Sequence, residues 1–377
     1  MNLSIFSFFS GSGLLDLGFE NAGYNIEFVN EYSSSFLNAY KYSRKMMGIL
    51  SPEYGYWNTD INEYLSERAE ELKEYIDKSK KAGKIVGFIG GPPCPDFSVA
   101  GKNKGKDGEN GKLSMTYVDL IIAQCPDFFL FENVKGLWRT TRHREFYEFL
   151  KTKLHKAGYV TNERLTNALE FGVPQDRDRI LLFGIHKKLL NKDAYVGDSL
   201  KGFNWENNIK YNLSEIKNYT WPTTSAFVKQ SKTCNPNQEY QDLTVEYWFN
   251  RNNTMEHPNG KAFFTPRGGL QKMKTIQEGD VSKKSYKRLH RWRYSPTAAY
   301  GNNEVHLHPY EERRISAAEA MAIQSLPQHF QLPQDMSLSD MFKTIGNGVP
   351  YLLSAGIANS MKIYMEEYIC KELQGII

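Results

Sequence analysis

The sequence predicts an α/β protein: a doubly wound, mostly parallel sheet, joined by a smaller, irregular, β- and loop-rich region. Three observations predict it. From residue 1 to about 186, apolar runs of strand length alternate with helical patterns, the pattern of stacked β–α units. From about 190 to 310, Asn, Lys, Tyr and Thr dominate, apolar runs shorten and no helical period holds. After about 311, helical patterns return, first in "ISAAEAMAIQSL" and then in "YLLSAGIANSMKIYMEEYI".

The strands are read from "LSIFSFF" (3–9), "NIEFVNEY" (25–32), "KIVGFIG" (84–90), "DFFLFENV" (127–134) and "RILLFGI" (179–185). Several are too continuously apolar for a sheet with one wet face, so parallel strands covered by helices on both sides are expected. Helical patterns fall between them at 13–22, 33–47, 61–80, 114–125 and 143–157. At 377 residues, one large or two medium domains are expected, taking roughly 150 residues per domain.

No run approaches the ~18–20 apolar residues of a membrane span. "MNLSIFSFF" carries no basic n-region and no small-residue cleavage site, so no signal peptide is expected. Four cysteines (Cys94, Cys125, Cys234, Cys370) are scattered without CxxC pairs. That spacing argues against a zinc site or a disulfide framework and for a reducing, cytoplasmic setting. His306 and His308 are expected to be structural, and no metal is expected.

Charge is unevenly placed. Residues 251–300 hold eleven Lys/Arg and three Asp/Glu, a local +8 in a chain of net +4. Interleaved with Tyr286, Trp292 and Tyr294, this is the footprint of a polyanion binder; a solvated basic surface is the alternative.

"FFSGSGLLDLGFENAGY" follows the first strand and opens a helix. Gly11 and Gly13 permit a tight turn and close approach of a ligand to the helix start. Asp16 occupies the place of the third glycine of a dinucleotide fingerprint, which disfavours a pyrophosphate and suits a ligand bearing an amine. Glu31, ending the second strand, is placed for ribose hydroxyls. S-adenosylmethionine, with an amine, a sulfonium and a ribose, fits these features; a plain tight turn is the alternative.

In "GFIGGPPCPDFSVAGKNKGKDGENGK" (87–112), Cys94 ends a strand behind Pro92 and Pro93, at the edge where open α/β sheets place ligands. A thiolate there is reactive; an inert buried cysteine is the alternative. Glu132 in "FLFENV" also ends a strand and can contact a base and share a proton, or merely cap the next helix. Arg177 and Arg179 in "FGVPQDRDRI" make a fork for phosphate or a carbonyl oxygen, or a salt-bridged strand entry with Asp176 and Asp178.

These stretches, with "RRISAAEAMAIQSLP" and "KTIGNGVP", stand in the order and approximate spacing of the DNA (cytosine-5)-methyltransferase family. The chain resembles that family, in its bacterial restriction–modification type, from residue 3 to about 360, interrupted only at 190–310. The resemblance implies a Rossmann-like, S-adenosylmethionine-dependent catalytic domain (1–190), an inserted target-recognition domain (191–305), and a C-terminal segment (306–377) returning to complete the first. It implies Cys94 as the nucleophile on C6 of a flipped-out cytosine in double-stranded DNA, and Glu132 at N3 and the exocyclic amine. Arg179 would contact the base carbonyl, with Arg177 in support. It implies that Phe9, Gly11, Ser12, Gly13, Glu31, Asp60, Ile61, Pro92, Asn347 and Val349 line the cofactor site. Segment 101–112 would close over the base.

For DNA contact, the candidates are Ser98, Lys102, Lys104, Arg267, Gly268, Lys287, Arg288, Arg291, Arg293 and Thr297. A monomer is expected, with a cognate restriction endonuclease as its functional partner. Three departures from the family pattern stand out: Leu14 in place of a third loop glycine, Pro95-Asp96 where Gln is usual, and Gly348 where Ala or Ser is typical. The rival readings are a tRNA cytosine-5 methyltransferase, disfavoured by the long basic insert, and a catalytically silent DNA-binding protein, disfavoured by intact Cys94, Glu132 and Arg179. An exocyclic-amine methyltransferase would need an aromatic where "GGPPC" has its cysteine.

Overall fold

The computed structural model describes residues 1–93, 109–236, 239–266, 268–283, 285–298, 300 and 304–369. Along the chain, the first half alternates β1 (Leu3–Phe8), α1 (Leu14–Asn21), β2 (Asn25–Asn30), α2 (Ser34–Met46), β3 (Tyr56–Trp57), α3 (Ala69–Lys81), β4 (Ile85–Gly90), α4 (Glu109–Gln124) and β5 (Phe128–Val134). Next come α5 (Gly136–Arg139), α6 (Thr141–Lys156), β6 (Tyr159–Asn167), β7 (Gln175–Asp176) and β8 (Asp178–His186). The insert region adds β9 (Tyr195–Val196), β10 (Ser199–Leu200), α7 (Leu213–Asn218), α8 (Val245–Arg251), α9 (Leu270–Thr275) and β11 (Ser295–Pro296). The chain finishes with α10 (Ala317–Ile323), α11 (Leu338–Asn347) and α12 (Tyr351–Tyr368).

The sheet has the order β3-β2-β1-β4-β5-β8-β6-β10-β9. Strands β1 to β5 pair in parallel. Alternation along each strand sorts side chains to two faces. Leu3, Ile5, Phe128, Leu130, Leu181 and Phe183 meet α1 and α12 on one face. Phe6, Phe8, Phe129, Phe131, Ile180 and Leu182 meet α3, α4 and α6 on the other. Burial on both faces is why these strands read as unbroken apolar runs.

Direction is where the sequence reading needs correction. β8 is antiparallel to both neighbours, with Val134 opposite Arg179 and Val160 opposite Ile185. The start of β8 therefore lies at the edge where β5 ends. β6, absent from the sequence reading, carries partly exposed residues along its middle and shows no apolar run. The expected helix at 61–80 is a 3-10 turn (Ile61–Leu65) followed by α3. In the insert, the described strands are only two residues long, and α7, α8 and α9 appear where no helical period showed. β9 and β10 continue the main sheet past residue 190, and Phe203 and Trp205 are buried in its core.

α12 lies against α1. A Cβ on Gly18 would collide with Ser354, and Ser354 Oγ donates to the Leu15 carbonyl at 2.5 Å. A second core joins Leu14 and Leu17 of α1 to Trp248 and Phe249 of α8, Met321 of α10 and Phe342 of α11. No helix among the described residues is long and apolar enough to cross a membrane.

Candidate active site

β1 ends in a turn that only an unusual backbone can make. Phe9, Gly11 and Gly13 all have positive φ (53°, 56° and 80°), and at Gly13 a Cβ would fall 2.5 Å from the Tyr40 ring. Left-handed geometry costs a non-glycine residue about 1–2 kcal/mol, so Phe9 is held there by its surroundings. The Gly11 amide donates to Glu31 Oε2 and the Ser33 amide to Glu31 Oε1, both at 2.8 Å. Glu31 is buried, and burial pushes its carboxyl above the usual range against these two donors.

Asn30 Nδ2 donates to the carbonyls of Trp57 and Thr59, and Asn58 Nδ2 to those of Glu31 and Tyr32. These two asparagines, which the sequence reading missed, tie Glu31 to the segment bearing Asp60 and Ile61. Asp60 caps the 3-10 turn through the Asn62 amide, and Ile61 is buried behind it. Thr344 Oγ1, also missed, donates to Ser12 Oγ at 2.9 Å and joins the glycine loop to α11. Asn347 is the exposed last residue of α11, and Val349 is buried beyond it.

These residues fit an adenosine ligand. A carboxylate offers about four acceptor positions; Glu31 uses two on amides and keeps acceptor capacity for a ribose diol. Asp16 is a correction: it is fully buried, accepting from Ser7 at 2.8 Å and Tyr40 at 2.9 Å. Its carboxylate holds α1 and α2 in place and is turned away from any ligand amine.

At the neighbouring edge, β4 ends at Gly90 and β5 carries Glu132. A Cβ on Gly91 would sit 2.5 Å from Glu132 Oε2, so this glycine lets the carboxylate lie over the backbone entering Pro92 and Pro93. Pro92 is buried; Cys94, Ser98, Lys102 and Lys104 lie outside the described residues, as does segment 101–108. Antiparallel β8 delivers Arg179, whose Nε is 2.7 Å from Glu132 Oε1, off the ideal hydrogen-bond direction. Burial raises the Glu132 carboxyl above its ordinary range, opposed by Arg179 and then Arg177.

Arg177 is placed differently. Its guanidinium donates to the carbonyls of Ala298 (3.1 Å), Gly346 (2.8 Å) and Gly348 (3.0 Å). It braces β7–β8, the end of the insert and the "IGNGVP" turn together. Gln175 works beside it, accepting from the Ala298 amide and donating to Gln324.

A family model, C-5 cytosine-specific DNA methylase, matches residues 3–363. The chain belongs to this family. It is 59 % identical over 365 residues to the type II methyltransferase M.NmeDI of Neisseria meningitidis serogroup C, covering 97 % of this chain and 84 % of the relative. It is 30 % identical to M.MthTI of Methanothermobacter thermautotrophicus over the full length of both. Among solved structures, it resembles a prophage-encoded E. coli protein described as a DNA modification methyltransferase (TM-score 0.64, 19 % identity, 97 % and 100 % of the two chains). It also resembles S. pombe Dnmt2 methyltransferase (TM-score 0.55, 12 % identity, 97 % and 99 %). At those identities the structural likeness speaks for the fold. This C-5 cytosine methylase is thus an S-adenosylmethionine-dependent enzyme acting on DNA.

In the methylase's insert, two of the expected DNA contacts are corrected. Arg288 is wholly buried, donating to the carbonyls of Ile276, His308, Glu311 and Met273. Arg291 is also buried, in a two-pronged pair with Glu278 at 2.8 Å and bonded to Ser231. Neither can reach a phosphate. Lys287 and Arg293 are half-buried, Gly268 is exposed, and exposed Thr297 donates to the Asp176 carbonyl beside the β8 start. Arg267 lies outside the described residues. Among the described residues no cluster of three metal-ligating side chains occurs.

Proposed function

We propose that the methylase works through a transient covalent bond between Cys94 and C6 of a cytosine turned out of the duplex. The observation that carries this reading is the Glu132–Arg179 couple lying over Gly91 at the sheet edge, three residues before the thiol. The target carbon is inaccessible inside a stacked duplex, so the base leaves the helix at a cost of a few kcal/mol. Cys94 adds as thiolate to C6, breaking the C5–C6 double bond and making C5 nucleophilic.

Glu132, its carboxyl pushed upward by burial, shares a proton with N3 and accepts from the exocyclic amine; Arg179 donates to the base carbonyl. Both stabilise the charge that builds on the ring as the thiolate adds. Bound at Phe9, Gly11, Ser12, Gly13, Glu31, Asp60, Ile61, Pro92, Asn347 and Val349, S-adenosylmethionine supplies a sulfonium methyl group as the electrophile for C5. Loss of the C5 proton to a base and release of Cys94 restore the aromatic ring. Arg177 acts as a positioning residue for this edge.

Residues 1–190 and 306–377 belong to the catalytic domain, and the recognition insert lies within 191–305. The sheet strands β9 and β10 and buried Trp205 support starting that insert near Ile209. Lys287, Arg293, Thr297 and Gly268, with Ser98, Lys102, Lys104 and Arg267, are the remaining DNA contacts. We infer further that the enzyme is monomeric and cytoplasmic and protects DNA from a cognate restriction endonuclease; the likeness to type II methyltransferases supports the last of these alone. The test is incubation with labelled S-adenosylmethionine and mixed-sequence duplex, with nucleosides identified by mass spectrometry. 5-Methylcytosine is expected from the native chain and none from Cys94→Ala; label on an exocyclic nitrogen would overturn the mechanism.

A further inference from the structure

The insert does not hold all the exposed positive charge. Between Lys135 and Arg144 the chain reads "KGLWRTTRHR", with Lys135, Arg139, Arg142 and Arg144 and no acid. All four are exposed. Lys135 pairs with half-exposed Asp178 at 2.9 Å, a contact too wet to fix it. Arg144 lies over the Trp138 ring, 5.7 Å from its centroid, while His143 turns inward toward the Gly136 carbonyl.

Topology puts this stretch where the chemistry is. β5 ends with Glu132, Asn133 and Val134, and Lys135 follows at once. Val134 pairs with Arg179. α6 then carries the chain back across the sheet to β6, which runs parallel to β5. Its first turn therefore stands at the edge bearing Glu132 and Arg179.

Helix stability does not explain these cations. An acid near a helix start and a base near its end are favoured by the helix dipole. α3 obeys this, with Glu70 and Glu71 in its first turn and Lys78, Lys80 and Lys81 in its last. α6 obeys it only at its end, with Lys153, His155 and Lys156; its first turn has no acid and opens with Arg142 and Arg144. The helix dipole gains nothing from that arrangement.

We infer that Lys135, Arg139, Arg142 and Arg144 form a second DNA-backbone surface on the catalytic half, gripping phosphates of the duplex beside the target base. It acts without regard to sequence, whereas the insert selects the site. The inference needs only that duplex DNA is the substrate.

The test compares full-length enzyme with Arg139→Ala/Arg144→Ala and with Arg144→Glu, titrated with short mixed-sequence duplexes at several salt concentrations. Each phosphate contact adds about 0.9 to the slope of log affinity against log salt. The double variant is expected to lose about 1.8 from that slope. The same slope implies roughly 8-fold weaker binding per lost contact at about 0.1 M salt, and kcat at saturating DNA stays unchanged. Arg144→Glu places an acid in the first turn, so its melting temperature holds or rises while DNA affinity falls; this separates lost contacts from lost folding. Wild-type slopes in folded variants would overturn the inference alone. A native enzyme that bound no duplex at all would overturn both the inference and the DNA reading beneath it.

Discussion

In the sheet-based half of the methylase, β8 is laddered on both sides, and the buried arginine at its start is left largely free of backbone carbonyls. Arg179 needs only one carbonyl, that of Asp178, and keeps the rest of its guanidinium beside Glu132. In the insert the described strands are two residues long, and the carbonyls of Met273 and Ile276 in it, and of His308 and Glu311 just beyond it, lie outside those strands. Arg288 serves all four. Buried polar groups must be paired, and where secondary structure is sparse a five-donor side chain replaces it. A basic, irregular region is therefore basic for two reasons, only one of which is DNA.

The comparison breaks most visibly at Glu132. Glu132→Gln should lower kcat by about 10²–10⁴, the range for losing a positioned proton donor, with near-native melting; single-turnover methyl transfer reads it. A native rate would remove Glu132 from the reaction. The insert's arginine should answer in stability instead. Arg288→Met strands four carbonyls, of which those of His308 and Met273 are fully buried and cost about 1–3 kcal/mol each, so urea melts should show a loss of at least ~2 kcal/mol. Arg293→Ala, half-exposed, should stay within about 0.5 kcal/mol while weakening DNA binding. Equal stability losses in the two variants would end the distinction between staple and contact.

Two departures from the family pattern meet in space. A Cβ on Gly348 would collide with Leu14, and Gly348 has an ordinary backbone (φ −64°). The glycine is there for room alone. Gly348→Ala should cost about 1–3 kcal/mol by overpacking. Leu14→Ala in the same chain should relieve that strain, with a coupling of about 0.5–3 kcal/mol in a double-mutant cycle. Strict additivity would show the two positions to be independent.

The last effect concerns pH and is small near neutrality. Burial, helped by Lys287, pushes His306 down to about 3. Between there and the unfolded value near 6.5, the unfolded chain binds a proton that the native chain refuses. Stability from this residue is complete above about pH 6.5 and falls by about 1.4 kcal/mol per unit as pH drops. His306→Gln should flatten that part of the profile relative to wild type; parallel profiles would place the acid sensitivity elsewhere.

Much of the sheet was legible because strands buried on both faces leave runs such as "KIVGFIG" that few other structures produce. The direction of β8 was not, since an apolar run reads the same either way; yet that direction decides whether Arg179 reaches Glu132. β6 hid behind Asn162, Glu163 and Arg164, half-exposed in mid-strand. α7 to α9 are six or seven residues each, under two turns, too short to show a period. At the site, the glycine loop, Glu31, Glu132 and Arg179 announced themselves by motif. The roles of Arg177, Arg288 and Arg291 did not. Their partners are mainly backbone carbonyls, which every residue possesses and no sequence advertises.

α1, which follows directly from the glycine loop, is roofed by α12, more than 330 residues later in the chain. During synthesis the loop is made long before the helices that support it. A chain stalled before Tyr351 would already carry every residue assigned to the reaction. Its Leu15 carbonyl and the groove over Gly18 would still face water. The helix opened by the glycine loop thus depends for its cover on a segment far along the chain.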